Sequence, residues 1–311
     1  MSASLDVLHS IGMPSGDSVD IVRKRFEAGE GPRVAIVAGI RGDTPEGVRV
    51  AHTVAAILGQ HHEVLSGCVD IYPCINPLAA HRGIRHWPFF DQDLNRRFPG
   101  RPDAHAPDVV AWKLIQDLDG ADQIIELRGA HPAFSETPQA HVRSSAESAA
   151  EVARHANVNL VWLRDPGLAA PSTFAAQFES TLTLEGGSGN RLTPGVGQAL
   201  AEGALNVLNV LGVLPDMALP FHWAAVTRPT TVDDSQVHRV RAGRAGLFLP
   251  RKAPWDAVEA DEVLGEVIDP ATGERLEEVR CPCAARIAAM RDQPVVFPGT
   301  MVARIVEGTD G

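Results

Sequence analysis

Val34-Ala35-Ile36-Val37-Ala38-Gly39-Ile40-Arg41-Gly42-Asp43-Thr44-Pro45-Glu46-Gly47 is the stretch on which the fold turns. Five small or branched apolar residues in succession suit a strand covered on both faces. Gly39 closes the run. A helical pattern starts at Pro45, where a first turn tolerates proline, and Val48, Ala51, Ala55 and Leu58 fall near one face. A buried strand, a glycine-bearing turn and a helix form the repeating unit of an α/β sheet.

The same alternation continues outward. Residues 69–72, 123–127, 158–163 and 181–184 read as strands, and residues 109–118, 146–155 and 194–213 as helices. Residues 77–102 read as one long loop, rich in arginine, proline and aromatics; loops of that length are usually functional. After Leu214 the texture changes. Pro215, Pro220 and Pro229 interrupt the chain, and short alternating segments at 237–240, 246–249, 263–268 and 301–306 are parted by turns such as Asp269-Pro270-Ala271-Thr272-Gly273. We expect an α/β domain over residues 1–214 and a smaller all-β domain over residues 215–311.

Composition narrows the partners. With 44% hydrophobic residues in 311, the chain can bury a large core, and a formal net charge of -11 disfavours nucleic acid and anionic membrane. No run reaches transmembrane length, and the first twenty residues lack the basic start and apolar core of a signal peptide. Cys281-Pro282-Cys283 has no second ligand pair nearby, so the four cysteines read as ordinary reduced thiols of a cytoplasmic protein.

Asp93-Leu94-Asn95-Arg96-Arg97-Phe98-Pro99-Gly100 is the sharpest motif. With Asn76-Pro77, Arg85 and Glu185-Gly186-Gly187, it resembles the succinylglutamate desuccinylase/aspartoacylase family, and the resemblance covers nearly the whole chain. It implies a layered mixed sheet like that of zinc carboxypeptidases and removal of acyl groups from amino acids or related amines. It also implies zinc at the carboxyl ends of strands, held by a His and a Glu from the first turn and a His after the third strand. Those ligand positions fall on Arg41, Thr44 and Arg128. A guanidinium stays protonated and only donates, and a threonine hydroxyl is a poor zinc ligand.

No cofactor is therefore expected. Arg41 and Arg128 together would bring about two positive charges to the place of the Zn²⁺ charge, facing Glu126, Glu185 or a bound anion. Glu185 matches the family's general acid/base, although without zinc to acidify water it suits pairing with arginine better. Arg85, Asn95 and Arg96 match substrate-binding positions, because an arginine fork suits a carboxylate; holding the loop is the competing role. Arg82, Arg97 and Arg101 add positive charge there. A displaced metal site built from His131, Asp43 and Glu126 is the weakest alternative, since no ligand-like spacing supports it. The only tyrosine, Tyr72, sits in a strand, so the aspartoacylase-type tyrosine has no counterpart. The expectation is a zinc-site-degenerate homologue, a pseudoenzyme that binds a small anion such as an amino-acid derivative or serves an intact family member as partner subunit. The alternative is an amidohydrolase of N-acyl amino acids, working without metal or with displaced ligands. A homo-oligomer stays open.

Overall fold

The opening apolar run becomes the strand Arg33–Ala38, fully buried from Val34 onward. The structure, a computed structural model, describes residues 2–215 and 228–308; Pro220 lies outside them. Side chains alternate between two cores, as a strand's two-residue period requires. Val34, Ile36 and Ala38 pack under the helices Pro45–Gln60, Glu147–Ala153 and Pro194–Val210. Ala35 and Val37 pack with Leu94, Phe98, Val110 and Leu114 on the other face.

Among the described residues this strand is central to a 13-stranded mixed sheet. It pairs in parallel with Gly67–Tyr72 on one side and Gln123–Leu127 on the other, and Gln123–Leu127 pairs in parallel with Thr181–Ser188. An antiparallel hairpin, Ser2–Gly12 with Ser18–Ala28, adds to the Gly67–Tyr72 edge. On the far side Phe134–Arg143 lies antiparallel to Thr181–Ser188 and then pairs with Ala285–Arg291. The sheet thus runs on through Met301–Glu307 and Val237–Arg241, strands from the C-terminal segment. Gly246–Pro250, Val263–Ile268, Arg275–Arg280 and Val295–Val296 form a separate four-stranded sheet. The C-terminal region is β-rich, and part of it extends the main sheet. No helix among the described residues is long and apolar enough to cross a membrane.

The expected loop at 77–102 is partly structured. Pro77–Arg82 is a short helix: the Asn76 Oδ1 caps it by accepting from Ala79 N at 3.1 Å, and Gly83 ends it in the left-handed region at φ 60°. Leu94–Arg96 is a 3₁₀ turn whose start is capped by Asp93.

Asp70 ties the N-terminal hairpin to the sheet. Its carboxylate is fully buried and accepts from Arg25 Nε and Nη2 at 2.7 Å each and from Arg33 Nε at 2.9 Å. Burial alone would raise this carboxyl, but the Arg25 and Arg33 hydrogen bonds hold it below its ordinary 3.8. A depressed folded-state pKa adds stability that is present above the unfolded value and lost as pH falls through the folded one. Asp70→Asn should cost about 2 kcal/mol at pH 7, with the deficit shrinking as pH falls below about 4. Denaturant melts at both pH values check this; an unchanged deficit contradicts it.

Candidate functional site

The parallel register brings the chemistry together. Ala38 pairs with Leu127, and Leu127 with Leu184, so the residues leaving the carboxyl ends of three neighbouring strands are adjacent. This is where open α/β sheets place ligands. Arg128 N donates to Leu184 O at 2.9 Å and locks the junction. Gly39 turns the first strand away at φ 65°, where a Cβ would sit 2.8 Å from Cys74 Cα. At Gly47 a Cβ would meet Leu127 O at 2.4 Å, so glycine lets the helix approach the strand Gln123–Leu127.

Arg128 is held, and held twice. Its Nε and Nη2 donate to the two Glu126 carboxylate oxygens at 2.6 Å each, while Nη1 lies 3.8 Å from Glu185. Thr183 Oγ1 adds a donor to Glu126 at 3.1 Å. Burial works against the Arg128 charge, but Glu126 and Glu185 keep its pKa above the ordinary value. Arg41 differs. Its Nε is buried and has no hydrogen-bond partner among the described residues. Burial, with repulsion from Arg128 and Arg85, pushes Arg41 down to about 10, so it is still a cation at neutral pH. The two arginines expected to act alike therefore divide: one is neutralised by a neighbour and the other faces open space.

That space is a cavity of about 190 Å³. Arg41, Arg128, Arg143, Arg164 and Asn95 line it, beside small apolar residues such as Ala169 and Ala176. Arg164 stacks 4.1 Å over Trp162 and pairs with Asp234 at 3.2 Å. His141, at the back, has Nε2 3.4 Å from Glu185 Oε1, within ion-pair reach but misaligned for a hydrogen bond. Burial pushes the imidazole down to about 4, leaving it neutral at pH 7. Burial alone would raise Glu185, but His141, which is protonated in the acid range where Glu185 titrates, then Arg128, Arg304 and Arg41 hold it well below the usual carboxylate range.

The other predicted residues fall differently. Thr44 is buried, and its hydroxyl donates to Arg41 O at 3.0 Å, bracing the turn. Asn95 reaches the cavity, yet its Oδ1 accepts from Phe174 N at 3.0 Å and ties two walls together. Arg85 is spent on Asp93, at 2.7 Å, and is not among the cavity's lining residues. Arg96 is exposed and also lies outside the lining. Arg97 pairs with Asp108 at 2.8 Å, so the loop's charge is less available than its arginine count implies. His131 is exposed, and among the described residues no three His, Cys, Asp or Glu side chains converge here closely enough to hold an ion.

Sequence reading missed Glu136, Arg143, Arg164 and Arg304. Glu136 is buried beside Glu185, accepts from Gln139 Nε2 at 2.7 Å and lies 3.9 Å from Arg304. Burial, then the Glu185 charge, pushes it up to about 7 against the pull of Arg304. Its folded-state pKa exceeds the unfolded one, so the stability it adds is present below about 4.5 and lost as pH rises through about 7. Glu136→Gln removes that titration. Relative to the parent, the variant should melt higher at pH 8 than at pH 5; equal differences at both pH values contradict this.

Comparisons with known proteins bear on the family and the fold. Residues 30–211 match the model of the succinylglutamate desuccinylase/aspartoacylase catalytic domain. An N-alpha-acetyl-L-2,4-diaminobutyric acid deacetylase of Halomonas elongata is 35% identical over 83 residues, which span 27% of this chain and only 24% of that protein. A succinylglutamate desuccinylase structure from a Silicibacter species superposes with a TM-score of 0.83 at 20% identity, covering 98% of this chain and 95% of the other. The product-bound ectoine utilization protein EutE (DoeB) of Ruegeria pomeroyi gives 0.80 at 24% identity, covering 96% and 92%. At such identities the structural likeness speaks for the fold alone.

Proposed function

Because the chain belongs to the succinylglutamate desuccinylase/aspartoacylase family of amide deacylases, we propose that it keeps the family's scaffold but holds an anion where its relatives are expected to hold zinc. The observation that carries this is Arg41: a half-buried cation whose buried Nε has no hydrogen-bond partner among the described residues, lining a cavity among three further arginines. A buried unpaired charge is costly, and a carboxylate in the cavity would relieve that cost with charge-assisted hydrogen bonds. The small apolar wall suits a carboxylate on a short carbon chain, such as an amino-acid derivative.

Zinc does not fit the residues present. Arg41 and Arg128 offer donors only, Thr44 spends its hydroxyl on Arg41 O, and Glu126 is committed to Arg128 and Thr183. Glu185, ionised and faced by arginines, serves as their counter-charge rather than as a base acting on metal-bound water. On this reading the protein is a ligand-binding member of a deacylase family, alone or as partner subunit of an intact member. Its four unpaired cysteines suit the cytoplasm.

The second reading, a metal-independent amidohydrolase, is favoured by His141. It is neutral, largely enclosed and 3.4 Å from Glu185, a pairing able to pass a proton while Arg41 stabilises an oxyanion. Incubation with a panel of N-acetyl amino acids, with and without chelator, separates the two. Binding without turnover is expected. Chelator-resistant turnover lost in His141→Ala supports the second reading, and chelator-sensitive turnover overturns both.

A further inference from the structure

A second constellation lies away from the cavity, in the C-terminal β region. Val237–Arg241 and Met301–Glu307 run antiparallel with Val237 opposite Val306, and Ala285 pairs with Glu307 across the next strand. His238 is therefore the diagonal neighbour of Glu307 on one side. Cys283, two residues before Ala285, enters from the other side. One ligand atom from each of His238, Cys283 and Glu307 lies within 4.8 Å of the other two. The Cys281-Pro282-Cys283 spacing lacked a partner pair in the sequence; strands 45 or fewer residues away supply other ligands in space.

We propose that His238, Cys283 and Glu307 form a binding site for a borderline-soft divalent metal ion of the zinc class. The donor set is one nitrogen, one sulfur and one carboxylate oxygen, which suits zinc or cobalt and disfavours magnesium and calcium. Zinc bonds of about 2.0–2.3 Å place tetrahedral ligands roughly 3.3–3.8 Å apart. The three ligand atoms, all within 4.8 Å of one another, lie near that spacing. His238 and Glu307 stand on paired strands, and Cys283 lies in the turn leading into Ala285–Arg291, where Cys281 Sγ donates to Cys283 O at 3.1 Å. His238 Nε2 already meets Glu307 Oε2 at 2.8 Å; the metal would replace that bond and displace the Cys283 thiol proton to solvent. All three side chains are at least partly accessible, so an ion can enter and the fourth position stays open to water.

The test is cobalt(II) titration of the full chain after chelator treatment and reduction, followed by near-ultraviolet and visible absorption. One equivalent should produce thiolate-to-cobalt charge-transfer absorption, which zinc(II) then displaces. Cys283→Ser should abolish it and His238→Ala should weaken cobalt binding at least tenfold, whereas Cys281→Ser should leave it. Thermal melts show that each variant is folded. A band that survives Cys283→Ser, or no band in the parent protein, overturns the proposal. Neither outcome bears on the arginine cavity, which contributes no thiol.

Discussion

Arg41→Met should weaken succinate binding by roughly 10- to 100-fold, the loss expected when one charged hydrogen-bonding partner is removed. Succinate is the probe because it is a small dicarboxylate that fits a cavity of about 190 Å³. The same substitution should raise the melting temperature of the ligand-free protein. Arg41 is half-buried, repelled by Arg128 and Arg85, and its buried Nε has no hydrogen-bond partner among the described residues, so an apolar side chain of similar length relieves strain. Loss of affinity with gain of stability is the signature of a group retained for binding rather than folding. Calorimetric titration and thermal melts of the same preparations give both numbers. Unchanged affinity, or a fall in both quantities, contradicts the role given to Arg41.

Glu126→Ala should have the opposite character. It leaves Arg128 buried without its two 2.6 Å hydrogen bonds. Breaking a buried pair from one side costs roughly 3–5 kcal/mol, whereas removing both partners costs far less. Glu126→Ala with Arg128→Met should therefore recover most of the lost stability, and the non-additivity measures the pair. Additive losses would show that the two side chains are supported independently.

Much of the fold was legible because its central strand is a continuous apolar run, Val34 to Ala38, between Pro32 and Gly39. The family resemblance, carried by the turn at 39–47 and the block at 93–100, holds. What escaped was the N-terminal hairpin and the strand Phe134–Arg143. That strand contains Glu136, Pro138, Gln139 and His141, and its ladder shifts register between Glu136 and Gln139, so no two-residue alternation marks it. Its interruptions bring Glu136 and His141 next to Glu185. The resemblance put Arg41, Thr44 and Arg128 at the expected ligand positions, but did not show how the charges would pair. Arg128 finds Glu126 two residues back along its own strand end, a local pairing that follows from strand geometry. Among the described residues Arg41 has no ion-pair partner of that kind, and only the packed structure separates the two.

The central claim is that arginine chemistry replaces zinc chemistry at this cavity. Its most direct test is the zinc content of the Cys283→Ser protein purified from zinc-replete cells, a variant chosen so that a C-terminal metal site cannot contribute. The account predicts far less than one zinc per chain and succinate binding that chelator leaves unchanged. One tightly held zinc per chain, lost to chelator together with turnover of N-acetyl amino acids, would contradict it.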